Sequence, residues 1–245
     1  VVEFKPGDEV FGVKAGCLAE YICVRADRGA VVSKPANATF EQAASIPTAL
    51  VALQGLRDTG RVKAGQKVLI NGASGGVGTF TVQIAKAFGA EVTGVCSTKN
   101  LDLVRSLGAD HVIDYTKEDY TQGDQRYDVI YDLVNNRSFS ERRRILKPGG
   151  ICVLAGVGGS GMRKETLFQF AGVLPAALRS KFTKEKFITF GVDFNKKDLG
   201  ILRDLTESGK MLPALTKTYP LTETAAAYKY LETGHARGKI AITIE

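Results

Sequence analysis

"KVLINGASGGVGTFTVQIAKAFGAEVTGVC", residues 67–96, decides how this chain reads. KVLIN is a short apolar run that fits a buried strand. It leads into a stretch with four glycines in ten positions, 71–80. Residues 76–88 follow as a helix that stops at Gly89, and EVTGVC fits a second strand. Strand, glycine loop, helix and strand in that order make a βαβ unit. In the register G-x-G-x-x-G the three key positions are Ala73, Gly75 and Gly78, with Gly72 just before them. A flexible turn is the plainer reading of such a loop, but its place between strand and helix is what a dinucleotide fingerprint requires. Gly75 would let backbone amides approach a pyrophosphate, and Gly78 would let the helix pack on the strand. The helix N-terminus supplies partial positive charge.

Roughly 20 residues past the glycines, an NAD site places an Asp or Glu on the ribose hydroxyls. Here the second strand runs into Ser97, Thr98 and Lys99. A carboxylate would repel a 2′-phosphate, whereas hydroxyls and an ammonium accept one, so the sequence favours NADP(H). The competing reading is a helix N-cap at Ser97 or Thr98 with Lys99 in solvent. Both can hold together.

Outward from this unit the alternation continues. NLDLVRSLG reads as a helix closed by Gly108, and HVIDY, YDVIYDLV and ICVLAG read as strands, with a helix over 138–147. The fold class is therefore α/β, a doubly wound parallel sheet. Before it, EVFGV, AEYICVR and AVVS are β-rich runs. TFEQ then offers a capping box, Thr39 with Gln42, at the head of a helical stretch broken near Pro47. After Gly161 the pattern loosens into an apolar helical segment (165–179), a strand FITFGV, the helices NKKDLGILRDLTESG and LTETAAAYKYLETG, and a last strand GKIAITI. That last strand is expected to rejoin the β-rich start.

The 245 residues are 44% hydrophobic and 24% charged, ordinary for a globular protein with a core. No apolar run approaches the length of a membrane span. The longest, TLFQFAGVLPAAL (166–178), contains Pro175 and reads as a core helix; a substrate lid or a dimer contact is its functional alternative. The opening VVEFKPGDEV has no basic n-region and no apolar core, so no secretion signal is read there. The net charge is +7, clustered in ERRRILK (141–147) and RSKFTKEK (179–186). These clusters admit RNA or another anionic surface; a solvated helix face and a loop are the simpler account, and a basic chain also suits an anionic cofactor. Cys17, Cys23, Cys96 and Cys152 show no C-x-x-C pairing, which points to reduced thiols and a cytoplasmic protein. His111 and His235 are the only histidines. With no ligand spacing among them, no zinc site is expected within the chain.

GDEVFG (7–12), GCLAEYICV (16–24), KPANATFEQAASIP (34–47), ALQGL (52–56), the glycine loop GASGGVG (72–78), SLGADHVIDY (106–115) and YPLTETAAAYKYLETGHARGKIAI (219–242) closely resemble, essentially end to end, the zinc-free quinone oxidoreductase branch of the medium-chain dehydrogenase/reductases. The resemblance implies a Rossmann domain inserted in a GroES-like β-barrel domain that is incomplete at its N-terminus. It implies a partial GroES-like catalytic domain over 1–38, a Rossmann NADP-binding domain over 39–193, and a return to the catalytic domain over 194–245. It further implies hydride transfer from NADPH to a small apolar quinone, enone or enal bound in an interdomain cleft, in a homodimer. Carried over by position, Ser74, Gly75, Gly76, Val77 and Gly78 would cradle the pyrophosphate, and Ser97, Lys99 and Tyr115 would surround the 2′-phosphate and adenine. Asn136, with Asn135, would meet the cofactor ribose, Ala155, Gly156, Val157 and Gly158 would line the nicotinamide, and Lys239 would approach the cofactor. The resemblance departs from the family at two places. The chain opens at the family's F-x-P-G-D-x-V segment, and IPTALVALQ is one residue shorter than the family pattern, with Val51 where threonine usually sits.

Hydride transfer asks the protein mainly for orientation. No Ser-His-Asp set or carboxylate pair is evident, so no catalytic acid is assigned. His235 reads as a solvated turn residue rather than a proton donor, and Tyr21 and Tyr115 as structural or cofactor-stacking. The rival readings are a non-catalytic NADPH-binding protein, an RNA binder, and a fragment that lacks a complete active site.

Overall fold

Val68, Leu69 and Ile70 are wholly buried, which is why KVLIN can only be a strand covered on both faces. The computed structural model describes residues 4–25, 27, 29–156, 184–234 and 236–244. The chain divides into two compact units, Val51–Gly191 and Val1–Leu50 with Val192–Glu245.

The first of these holds a six-stranded sheet. Its strands are β3 (Lys67–Asn71), β4 (Glu91–Cys96), β5 (His111–Asp114), β6 (Tyr127–Asp132), β7 (Leu146–Leu154) and β8 (Lys186–Ile188). They lie in the order β5-β4-β3-β6-β7-β8, and every pairing is parallel. Helices α3 (Gly78–Ala87), α4 (Leu101–Ser106) and α5 (Phe139–Arg144) make crossovers. The chain therefore winds outward one way from β3, then restarts at β6 on the other side. The fold is α/β, a Rossmann-type doubly wound sheet. The strand order reverses between β3 and β6, and the carboxyl ends of these two strands form the crevice where such sheets bind ligands. Leu69, Val95, Ile130, Ile145, Cys152, Leu154 and Phe187 pack into one buried cluster.

The other unit carries the antiparallel pair β1 (Val10–Val13) and β2 (Ala30–Ser33). It also holds helices α1 (Phe40–Ser45) and α6 (Lys196–Glu207), strand β9 (Leu215–Pro220), helix α7 (Thr224–Glu232) and strand β10 (Lys239–Thr243). The Thr39–Gln42 capping box is present in both directions. Pro47 falls in a 3₁₀ turn, Ile46–Thr48, before helix α2 (Ala49–Gln54).

Several expectations change. The chain passes between units at 50/51, inside α2, where the sequence suggested 38/39, because α1 stays with the terminal segments. AEYICVR forms no strand; Tyr21 is 90% exposed and no strand among the described residues pairs with this run. β10 pairs in parallel with β9 rather than with the strands near the chain's start. LTKTYP, which becomes β9, gave no strand signal because it alternates weakly and ends in proline. Helix α5 stops at Arg144, since Leu146 already pairs with Tyr127 in the sheet. FITFGV contributes only to β8. The apolar segment 165–179 lies outside the described residues, apart from which no helix is long and apolar enough to cross a membrane.

Candidate cofactor site

The loop after β3 is pinned before it turns. The N–H groups of Gly72 (φ +89°) and Ala73 both donate to the Val95 carbonyl, at 3.2 and 3.0 Å, and Gly75 N–H donates back to the Gly72 carbonyl at 3.1 Å. A Cβ at Gly78 would stand 2.1 Å from the Gly72 carbonyl oxygen, so the helix can start against the loop only with glycine there. At Gly75 the same addition meets nothing nearer than 3.4 Å. Ser74, Gly75, Gly76 and Val77 are half-buried in this loop, and α3 begins at Gly78. At the head of this ten-residue helix the Thr79 and Thr81 amides donate to the Gly75 and Val77 carbonyls, at 3.0 and 2.9 Å, so what its N-terminus offers an anion is chiefly the positive end of its dipole.

Beside the loop, β4 ends at Cys96. Ser97 opens the 3₁₀ turn Thr98–Asn100, but its hydroxyl caps no backbone amide. Thr98 is committed elsewhere: its hydroxyl donates to Asp114 Oδ2. Asp114 also accepts from Thr116, amide at 3.0 Å and hydroxyl at 2.7 Å. The Thr98 bond holds the Asp114 carboxyl below the usual aspartate range against its burial, and the Thr116 bonds add to this. Lys99 is exposed and has no ion-pair partner among the described residues. Tyr115 is half-exposed, and its N–H donates to the Cys96 carbonyl at 3.1 Å. Ser97, Lys99 and Tyr115 thus share one corner. Asn100, which the sequence gave no reason to single out, is buried there. Its Nδ2 donates to Ser74 Oγ at 3.0 Å and Ser97 Oγ at 3.2 Å.

At the crevice, Asp132 ends β6 with 1% of its surface exposed. Its Oδ1 accepts from Asn71 Nδ2 at 2.8 Å and from the amides of Val134 and Asn135 at 3.1 and 2.9 Å. Its Oδ2 accepts from Arg142 Nε at 2.6 Å, and Arg142 Nη2 donates to Asn135 Oδ1 at 3.3 Å. Asn71 Nδ2 also reaches Asn136 Oδ1, at 3.1 Å. This network holds Asn135 at φ +56° and leaves its Nδ2 buried without an acceptor among the described residues. The amides of Ala155 and Gly156 donate to the Asp132 carbonyl, at 2.9 and 3.1 Å, and a Cβ at Gly156 would press on Asn135 Nδ2 at 3.0 Å. Asn135, Asn136, Ala155 and Gly156 are therefore gathered. Val157 and Gly158 lie outside the described residues, as does His235. An anion-ready loop and an unsatisfied buried donor at the crevice fit a dinucleotide.

Lys239 belongs to the other unit. Its Nζ donates to Thr48 Oγ1 at 2.9 Å, and burial lowers its pKa. Thr48 was not foreseen.

The basic cluster 141–147 is not the free stripe the sequence suggested. Arg142 pairs with Asp132, Arg143 with Glu185 at 3.0 Å and Lys147 with Asp128 at 2.7 Å, while Arg144 Nε donates to the Thr121 carbonyl at 2.9 Å. These side chains tie α5 and β7 to carboxylates of β6, to Glu185 and to the Thr121 carbonyl. Of RSKFTKEK, only 184–186 are described.

No donor set among the described residues fits a zinc ion. Among the described residues no three His, Cys, Asp or Glu side chains gather into a metal-binding group. Cys96 and Cys152 are buried; burial, with the Asp114 charge, pushes the Cys96 thiol up to about 11, and burial raises Cys152 further.

Residues 107–242 match the family model described as zinc-binding dehydrogenase. The chain is 34% identical over 261 residues to the NAD(P)H oxidoreductase RTN4IP1, mitochondrial, of Mus musculus, covering 98% of this chain and 65% of that protein. It is 35% identical to the NADPH-dependent alkenal/one oxidoreductase, chloroplastic, of Arabidopsis thaliana, over 99% of this chain and 59% of that one. The solved quinone oxidoreductase of Coxiella burnetii superposes with a TM-score of 0.85 at 30% identity, over 100% of this chain and 74% of that chain. The chain thus spans just under two thirds of the length of the mouse relative.

Proposed function

The chain belongs to the zinc-binding dehydrogenase family, on the quinone oxidoreductase branch of the medium-chain dehydrogenase/reductases, and from that premise we propose that it transfers hydride from NADPH to a quinone or an α,β-unsaturated carbonyl without zinc. The observation that carries the cofactor choice is the end of β4. No carboxylate follows it; a half-buried hydroxyl at Ser97 and an exposed, unpaired ammonium at Lys99 stand there instead. The relatives' names, which include NADPH and alkenal/one substrates, support the same class.

NADPH, when bound, supplies the hydride. The loop Ser74–Gly78 would hold the pyrophosphate, and Ser97 with Lys99 would hold the 2′-phosphate, with Tyr115 at the same corner. The Nδ2 of Asn135 would donate to a ribose oxygen. Ala155 and Gly156, tied to the Asp132 carbonyl, would line the nicotinamide. Such fixed positioning is the main catalytic contribution a protein makes to this chemistry. We propose a homodimer in a reducing compartment, the cytoplasm, for which light scattering of the purified protein is the check on assembly.

The test is a pair of titrations with NADPH and NADH, followed by nucleotide emission, since the chain contains no tryptophan. NADPH is expected to bind at least about tenfold tighter, and Ser97→Ala with Lys99→Ala to erase the difference. Tighter NADH binding overturns the cofactor assignment. Turnover of enals and quinones by the NADPH-loaded protein then tests the reaction.

A further inference from the structure

Asn100 touches both halves of the proposed anion site. Its side-chain amide carries two hydrogens. One goes to Ser74 in the glycine loop and the other to Ser97 at the end of β4, at 3.0 and 3.2 Å. A hydroxyl has one hydrogen and two lone pairs. Accepting from Asn100 uses a lone pair and leaves each serine its own hydrogen to donate outward. Phosphate oxygens offer only lone pairs, so donors are what they need.

The other end of the amide gives the second clue. Asn100 Oδ1 is buried and has no hydrogen-bond partner among the described residues. A buried, unpaired acceptor costs stability, so a side chain kept here for the fold alone would not be an asparagine. Its two donors are what the position uses. We infer that Asn100 is a positioning residue that turns the Ser74 and Ser97 hydroxyls outward as donors, one to the pyrophosphate and one to the 2′-phosphate. Through Ser97 it sets the preference for NADPH over NADH. The inference rests on the 2′-phosphate reading of Ser97 and Lys99.

The test compares wild type with Asn100→Asp and Asn100→Leu, each alone and with Ser97→Ala. NADPH and NADH dissociation constants come from nucleotide emission, and melting from circular dichroism. Asn100→Asp can only accept, so it turns both hydroxyls inward; Asn100→Leu removes the donors without adding charge. Each lost hydrogen bond to a phosphate is expected to cost about tenfold in affinity. NADH, which keeps only the Ser74 bond, should weaken about tenfold and NADPH about a hundredfold, so the NADPH:NADH preference falls about tenfold in both variants. Adding Ser97→Ala should then change little, whereas in wild type it alone lowers the preference. If wild type prefers NADPH and the preference persists in Asn100→Leu, the inference fails while the cofactor assignment stands, whatever the charged variant does. A fall in melting temperature with equal loss of both nucleotides also overturns it, because it marks a structural tie. A wild-type preference for NADH overturns the 2′-phosphate reading and this inference with it.

Discussion

A methyl group added at Gly78 would stand 2.1 Å from the Gly72 carbonyl oxygen and 2.8 Å from the Ala73 carbonyl carbon, all backbone; at Gly75 it would find ordinary contact at 3.4 Å. The two glycines therefore fail differently when changed. Gly78→Ala must push the helix start away from the strand and is expected to cost about 1–3 kcal/mol of stability, the usual range for overpacking. Gly75→Ala should leave stability within about 0.5 kcal/mol and still weaken NADPH by more than about tenfold, because its methyl group would project into the proposed phosphate site. Urea titration beside nucleotide emission separates the two. Both glycines could be read from the sequence, since loop, strand and helix are contiguous. Asp132 and Arg142 could not. Their pairing at 2.6 Å needs β6 and α5 to be folded first, and in the sequence Arg142 looks like one of three surface arginines. Arg142→Met is expected to cost about 3–5 kcal/mol by stranding a buried carboxylate. Adding Asp132→Leu should not restore stability, because Asp132 Oδ1 also carries Asn71 and the amides of Val134 and Asn135. A double variant as stable as wild type would contradict that account.

Elements are joined by carboxylates that belong to none of the apolar patterns. Asp128 on β6 accepts from the Lys67 amide at the start of β3 and from Lys147 Nζ on β7, at 2.8 and 2.7 Å. Burial alone would raise its pKa, but the Lys147 bond and the Lys67 amide outweigh it and hold the carboxyl below the ordinary aspartate range. Glu141, whose capping box with Ser138 starts α5, is lowered chiefly by the Ser138 hydroxyl. The sign follows from linkage. A folded carboxylate with a depressed pKa stabilises above its unfolded pKa of about 4, and that stability disappears as pH falls through the lower folded value. The urea midpoint should therefore drop steeply below about pH 4. Asp128→Asn should lower the midpoint at pH 7 and flatten that acid limb; a limb unchanged in slope would show that Asp128 takes no part. Elements with strong periodicity or a cap, such as β3, α3 and α1, were legible. β9 was not, because a short polar strand beside β10 acquires its identity only from the register of its partner.

Across the whole molecule, the sequence marked the doubly wound core correctly but placed its near boundary too early. Helical pattern runs from Phe40 to Thr59 with little interruption, so nothing local shows that the change-over comes at 50/51. Thr48 and Val51 show what does decide it. Thr48 accepts from Lys239 in one unit, and the Val51 carbonyl accepts from the buried Tyr131 hydroxyl in the other, at 2.7 Å. Both partners are far away in sequence. The division has a consequence for binding, because every described contact proposed for the cofactor except Lys239 falls in the single continuous span 51–191. Expressed alone, that span is expected to fold as a parallel α/β sheet and bind NADPH within about tenfold, ~1.4 kcal/mol, of the whole chain. It should keep the preference over NADH, which we propose resides in Ser97, Lys99 and Asn100, and should reduce neither enals nor quinones. Circular dichroism reports whether the span folds, and nucleotide emission reports the affinity. A folded span that binds neither nucleotide would move the cofactor's main anchor to the other unit, with Lys239 and Thr48 the first residues to change.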